Sequence, residues 1–325
     1  MPEPASKVTE VAVGLLINAS GQVLLGSRPT GKPWAGWWEL PGGKIEAGET
    51  VLQALTRELQ EEINITVQDA IPWVSLVYHY PTTTVRLNIW QVTQWDGTPT
   101  PLENQELDWL TPDEALARDD LLPATYPLLR WLRIPRRYLI SHVNHPDNLA
   151  SFLKTLGQAH AQGIELVQWR EPQWQTTLGE QSVKDGFLKV LAYCQRLNMK
   201  LLVNSVHPES WWTQADGVHL RAQDATNHSE RPKLADDQWV GVSAHNAEQL
   251  TQARLIKADF AVLGPVLPTA SHPGEPTLGW EAFAELAQFA GLPVLTIGGQ
   301  SNDTYPQARR HGAHGIAGIR HLLNP

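Results

Sequence analysis

The chain has 325 residues, 42% of them hydrophobic and 18% charged, with 25 Lys and Arg against 34 Asp and Glu for a formal net charge of −9. That length is too great for one small core and the composition excludes a mainly disordered chain; the acidic balance argues against a polynucleotide partner, while a local cation or a bound metal still allows a free nucleotide. Cys194 is the sole cysteine, no apolar run reaches the ~18 residues that span a bilayer, and the polar start over 1–10 does not read as a signal peptide, so a cytoplasmic protein with no disulfide and no membrane partner is expected.

Up to residue 132 the apolar stretches come as strand pairs. Strands over 11–17 and 22–26 flank Asn18-Ala-Ser-Gly21, a hairpin signal. A helix follows over 50–63, then strands over 74–80 and 85–93 and a short helix closing at 128–132. Residues 133–137 read as a linker between one domain over 1–132 and another over 138–325. In the second, short buried-strand runs over 138–143, 164–169, 200–204, 217–220, 239–243, 260–264, 293–297 and 315–319 alternate with helical stretches such as 149–162, 183–197, 247–256 and 280–290. Eight such units predict a closed (β/α)8 TIM barrel rather than an open doubly wound sheet, so the fold class is α/β in two domains.

The helix over 50–63 carries the clearest chemistry. Thr50 is a good N-cap, and Gln53 completes a capping box. Leu52, Leu55, Leu59 and Ile63 form one apolar stripe, and Glu58, Glu61 and Glu62, at i, i+3 and i+4, share another face. Three clustered carboxylates repel unless a hard cation sits among them, and Mg²⁺ prefers oxygen ligands and substrate phosphates. Arg57 can orient one carboxylate by a charged hydrogen bond, and Gly42-Gly43 lets the backbone approach a metal. The plainer reading is a solvated acidic face, which would carry balancing Lys or Arg at i+4; apart from Arg57 the helix has none.

Gly43-Lys-Ile-Glu-Ala-Gly-Glu49 with Arg57-Glu-Leu-Gln-Glu-Glu-Ile-Asn-Ile65 resembles the Nudix box over eight of nine specified positions, Asn64 standing where the family has Gly. Asn is the next-best residue for a left-handed cap. The likeness extends over 8–132 and implies an α/β/α sandwich with a mixed sheet and water attack on a diphosphate with Mg²⁺, or Mn²⁺. Within the family, Trp38-Glu-Leu-Pro-Gly-Gly-Lys-Ile-Glu-Ala-Gly-Glu49 is most similar to the MutT type, which hydrolyses 8-oxo-dGTP to the monophosphate in mutation avoidance. That resemblance implies metal at the Gly42 carbonyl, Glu58, Glu61, Glu62 and Glu103. It implies water activation by Glu58, with Glu61 and Arg57 beside it, and nucleotide contacts from Arg28 and from Glu39, Leu40, Pro41 and Gly42. The type reads its base with an Asn after Pro-Ala, where this chain has Thr125, whose hydroxyl cannot make a two-point amide contact. Another diphosphate substrate, from the thiamine pathway or another nucleotide, stays open. Trp34, Trp37 and Trp38 can stack on a base or simply pack.

The second domain carries polar residues at its strand ends, where barrel enzymes place their chemistry. Gly241-Val-Ser-Ala-His245, Leu263-Gly-Pro-Val-Leu-Pro-Thr269 and Ile297-Gly-Gly299 resemble thiamine-phosphate synthase and its relative TenI, a thiazole tautomerase. The synthase joins a pyrimidine diphosphate to a thiazole phosphate and needs cations and Mg²⁺ ligands. Its Arg-Glu-Lys is here Arg170-Glu171-Pro172, its Asn-Asp is Asn204-Ser205, its loop Lys is His272 and its cradle Ser is Arg320, while Asp224 remains. Synthase activity is therefore not expected. Backbone N–H groups at Gly298, Gly299, Gly318, Ile319 and Arg320 imply a phosphate cradle, and His245 aligns with the TenI base. A thiazole phosphate in the barrel, a packed non-catalytic His245, and a phosphate-binding module regulating the first domain all stay open.

Overall fold

The computed structural model describes residues 8–269, 274, 276–319 and 322. The chain divides into two compact units, 1–134 and 135–325. Among the described residues no helix is long and apolar enough to cross a membrane.

The first unit holds β1 (Thr9–Leu16), β2 (Val23–Ser27), β3 (Trp38–Glu39), β4 (Gly42–Lys44), α1 (Val51–Ile63), β5 (Thr66–His79), β6 (Thr84–Asp96), β7 (Leu107–Leu110), α2 (Pro112–Leu116) and α3 (Thr125–Leu132). A mixed sheet runs β4-β1-β6-β5, with β1 parallel to β6 and antiparallel to β4, and a second sheet runs β3-β2-β7. The expected hairpin is therefore corrected. The chain does turn at Asn18, whose N–H donates to the Gln22 carbonyl at 3.0 Å, but Ile17 and Val23 make a single antiparallel bridge before the strands part into different sheets. Each strand buries its apolar residues against a different partner: β1 lies between β4 and β6, and β2 between β3 and β7.

Helix α1 forms as its sequence dictates. Thr50 accepts from the Gln53 N–H at 3.3 Å while the Gln53 side chain accepts from the Thr50 N–H at 2.8 Å, and Asn64 closes the helix at φ 57°. Ala54, Leu55, Leu59 and Ile63 are buried with Ala12, Leu16, Leu24 and Val92. Leu52, expected in that stripe, is 40% exposed, and Ala54 takes its place in the core. Burying each Leu stabilises the helix on its sheet by about 2 kcal/mol.

The second unit is a closed barrel of eight parallel strands: β8 (Arg137–Ile140), β9 (Leu166–Trp169), β10 (Lys200–Asn204), β11 (Gly217–Leu220), β12 (Trp239–Ala244), β13 (Phe260–Leu263), β14 (Val294–Thr296) and β15 (Gly315–Gly318). Around it run α4 (Leu149–Ala161), α5 (Pro172–Arg196), α6 (Ala222–Ala225), α7 (Ala247–Leu255), α8 (Gly279–Gln288) and α9 (Tyr305–Arg310). The chain extends α5 upstream of the expected 183–197 and breaks it at Gly179, φ 79°. Parallel strands buried on both faces are near-continuous apolar runs, which is why these eight are so visible in the sequence.

Candidate functional sites at the carboxylate helix and the barrel mouth

In the first unit, Arg57 organises the carboxylates. Its Nε and Nη2 each donate to Glu49 at 2.8 Å, Nη1 donates to Glu58 at 2.7 Å, and Nη2 also reaches the Lys44 carbonyl at 3.1 Å. This pairing drives the Glu49 carboxyl down to about 2, through the Arg57 hydrogen bonds first and the Glu46 N–H next. Glu61 lies 3.4 Å from Arg57 and is largely exposed. Glu62 turns elsewhere, accepting from the Gly42 N–H at 2.9 Å. Its carboxyl is pushed up to about 7, chiefly by burial; the Gly42 bond opposes this, and the nearby charges of Glu39 and Glu103 add to it.

The three helix carboxylates thus do not converge as one cluster. Among the described residues no three acidic, imidazole or thiol groups stand close enough to share an ion. The donors still fit a hard divalent cation. All are oxygens, and the absence of a side chain at Gly43 lets the Glu58 carboxyl lie against the backbone, where a Cβ would sit 2.1 Å from its carbon. Glu62 is a desolvated carboxylate short of positive charge, which a cation would supply.

A second group faces Glu62. Arg28 donates to Glu39 at 2.6 Å and to the Pro33 carbonyl at 2.8 Å. Burial outweighs Arg28 and raises the Glu39 carboxyl. Lys32 holds Glu103 at 2.6 Å, an exposed pair. Leu40 and Pro41 are buried, and the Pro41 carbonyl accepts from the Gly14 N–H at 2.8 Å, so neither side chain is presented to a ligand. Thr125 is 4% exposed at the first turn of α3, its N–H donating to Leu122. Two residues here escaped the sequence reading. Lys32 pairs across 71 positions, which no local pattern reveals. Tyr80, pushed up to about 12 by burial and by Glu39, lies 6.1 Å from Trp34, which itself meets Trp37 edge-on at 4.8 Å.

In the barrel a chain of polar side chains crosses the interior. Asn204 donates to Gln168 at 2.8 Å and Gln168 to the Tyr138 hydroxyl at 3.1 Å. Tyr138 meets His219 Nδ1 at 3.3 Å, and His219 Nε2 meets Ser243 at 2.9 Å. Burial, reinforced by the Arg170 charge, lowers His219 to about 3, so the ring is neutral and carries one proton. Because Tyr138 already accepts from Gln168, its own proton points at Nδ1, which places the ring proton on Nε2 toward Ser243.

His245 donates from Nδ1 to the Gly264 carbonyl at 2.6 Å. A carbonyl only accepts, so Nδ1 carries a proton and its bond fixes the orientation of the ring. Gly298 and Gly299, at φ 93° and 62°, abut Pro265 and Leu267 so closely that any Cβ would clash. Gly318 is the last residue of β15 and Ile319 follows it, whereas Arg320 and His272 lie outside the described residues. Glu171 is fully buried and accepts from the Ser141 hydroxyl and the Val143 and Asn144 N–H groups at 2.5–2.9 Å. Asp224 has both oxygens on Arg221, at 2.5 and 3.0 Å, and also accepts from Ser205. These oxygens do not fit a metal, because a guanidinium already holds them.

Family models match the sequence of both units. The NUDIX domain matches residues 8–132, and the thiamine monophosphate synthase family, which includes TenI, matches residues 138–322. The chain belongs to both families. Its Nudix unit is 37% identical over 127 residues to the 8-oxo-dGTP diphosphatase of Escherichia coli (strain K12), covering 39% of this chain and 98% of that protein. It is 39% identical over 123 residues to the CTP pyrophosphohydrolase of the same strain, covering 38% and 90%. The TenI-family barrel is 30% identical over 193 residues to the putative thiamine-phosphate synthase 2 of Aquifex aeolicus (strain VF5), covering 59% of this chain and all of that protein.

Proposed function

We propose that the Nudix unit hydrolyses a nucleoside triphosphate to its monophosphate and diphosphate, with 8-oxo-dGTP preferred. The observation that carries this is the Glu49–Arg57–Glu58 array, which leaves one Glu58 oxygen anchored and the carboxylate beside the Gly43 backbone. A carboxylate fixed in this way can take a proton from an attacking water. Mg²⁺ held by one or two of these carboxylates at a time, from Glu58, Glu61, Glu62 and Glu103, with the Gly42 carbonyl and the substrate phosphates, would offset charge on the diphosphate oxygens. Arg28, held by Glu39 at 2.6 Å, would supply a cation to the nucleotide, and Trp34 and Tyr80 would offer it aromatic faces.

The test measures diphosphate release from 8-oxo-dGTP, dGTP and CTP at one Mg²⁺ concentration. Preference for CTP would move the assignment to the second relative's substrate. Thr125→Asn would restore an amide where the MutT type has one and should raise the 8-oxo-dGTP over dGTP ratio of kcat/KM by about 5-fold or more, the worth of a two-point base contact. An unchanged ratio would remove Thr125 from the base pocket.

For the barrel, His245 Nε2 is set as a proton acceptor, which favours proton transfer on a ligand such as a thiazole phosphate over synthase chemistry. Mixing both phosphorylated synthase precursors with Mg²⁺ and the full chain should give no thiamine phosphate.

A further inference from the structure

Two cations of different kind face the carboxylates around α1. Arg57 is fixed, its planar fork holding Glu49, Glu58 and the Lys44 carbonyl at once. Lys32 stands in the exposed loop over 30–36 and reaches Glu103 at 2.6 Å, the two side chains being 51% and 42% exposed. Its charge is felt beyond that pair. Burial lifts the Glu62 and Glu39 carboxyls, and the Lys32 charge opposes that lift at both. One ammonium therefore faces Glu103, Glu62 and Glu39, and two of these belong to the proposed metal set. A hard divalent cation seeks the same oxygens.

The two cations also differ in how they let go. A guanidinium is a rigid fork that must lose several bonds together, whereas an ammonium is a point charge with three rotatable donors on a flexible stem. Among the described residues Glu103 is the hydrogen-bonded partner of Lys32 Nζ, and an exposed pair of this kind shifts an equilibrium by a factor of about 5 or less. The loop does not depend on that pair for its shape. The Arg28 N–H donates to the Trp37 carbonyl at 2.8 Å, the Gly36 N–H to the Arg28 carbonyl at 2.9 Å, and Arg28 Nε to the Pro33 carbonyl at 2.8 Å.

Resting on the metal and triphosphate readings above, we propose that Lys32 is a displaceable counter-ion. It holds Glu103 until a divalent cation takes that carboxylate, and its freed ammonium then turns to a phosphate oxygen of the substrate. An ammonium left beside a divalent cation is repelled by it, and a triphosphate brings the anion that Lys32 then lacks. Ion binding therefore breaks one ion pair when the nucleotide is absent and replaces it when the nucleotide is present. Lys32 couples ion to substrate in this way without touching the ion.

The test uses the full chain stripped of metal by a chelator, and reads Mn²⁺ binding without nucleotide from the paramagnetic resonance signal of the free ion. Lys32→Gln should bind Mn²⁺ about 2- to 5-fold more tightly than the parent, because no pair has to break. Glu103→Gln should bind it more weakly, and in that background Lys32→Gln should no longer tighten it, as expected of groups that act through one another. At saturating Mg²⁺, calorimetry then uses the α,β-methylene analogue of GTP, whose α–β link resists hydrolysis. Lys32→Gln should weaken its binding about 5-fold or more, the size of a charged hydrogen bond. Both residues are exposed, so neither substitution disturbs the core. Equal or weaker Mn²⁺ binding in Lys32→Gln overturns the exchange and leaves the metal reading standing. So does tightening that persists undiminished beside Glu103→Gln, which a general field effect would give, and so does an unchanged affinity for the analogue. Absence of saturable Mn²⁺ binding to the parent up to about 10 mM, where even weak sites fill, overturns the metal reading and the exchange with it.

Discussion

The carboxylates of the Nudix unit and those of the barrel have opposite environments. Glu62 is half-buried with one N–H to accept from and two other carboxylates nearby, and its carboxyl is pushed up to about 7. Glu171 is buried more completely, yet three donors converge on it, and Asp224 is closed off by Arg221. Burial alone therefore does not mark a functional carboxylate. What separates the two cases is the number of donors already supplied by the chain: a carboxylate left short can recruit a cation, and a saturated one becomes a strut.

Four changes press on that contrast. The largest effect is expected from Glu58→Gln, which keeps the shape and removes the proton acceptor. At saturating Mg²⁺, kcat should fall about 100-fold or more, and steady-state diphosphate release reads it directly. Parental turnover in this variant would move the water-activating role to another residue.

Next comes Glu62. Its folded pKa of about 7 lies above the ordinary 4.5. Between those values the folded chain keeps a proton that the unfolded chain has released, so metal-free stability should fall as pH rises, with the full cost present above pH 7. Glu62→Gln should remove that slope, raising metal-free stability at pH 8 by on the order of 2–3 kcal/mol relative to pH 4. Denaturant melts at the two pH values measure it. The parent should in turn need more Mg²⁺ for activity as pH drops below 7, because protonation removes the ligand.

Glu171→Gln tests the opposite case. The new NH₂ would face an existing donor, at a cost of about 2 kcal/mol. It should lower the barrel's unfolding midpoint and leave nucleotide hydrolysis unchanged, so a gain in stability would contradict the strut role. Smallest is Asn64→Gly, which relieves a left-handed non-glycine cap and should shift stability by about 0.5 kcal/mol in the favourable direction. The lost Gln60–Asn64 contact, 3.2 Å in length, works against it.

Legibility followed the range of the interaction. The capping box, the Asn64 cap and all eight barrel strands were visible because each is set by neighbours or by a contiguous apolar run. The Asn18 turn was visible too, but which sheet each flanking strand joins is decided by residues far along the chain, such as Trp109, which pairs with Leu24. The carboxylate cluster was read from helical spacing. Arg57 and the Gly42 N–H then pull its members to different sides, and that depends on where β4 docks. The Arg28–Glu39 and Lys32–Glu103 pairs have no sequence signature beyond charge. The Arg221–Asp224 pair is only three residues apart, but that spacing alone does not distinguish a closed ion pair from an open ligand.

The two adjacent glycines after Pro41 answer to different masters. Gly42 has φ +144°, and a Cβ there would sit 2.2 Å from the Ala12 backbone oxygen, so β4 cannot dock on β1 without it. Gly43 has an ordinary backbone, and its added Cβ would meet only the movable end of Glu58. One methyl group at position 43 would therefore swing the Glu58 carboxylate, the proposed water activator, away and leave the sheet intact. Under the proposed role of Glu58, a domain of this shape stands a single substitution from keeping a ligand pocket while losing hydrolysis, which is a short evolutionary road from enzyme to sensor.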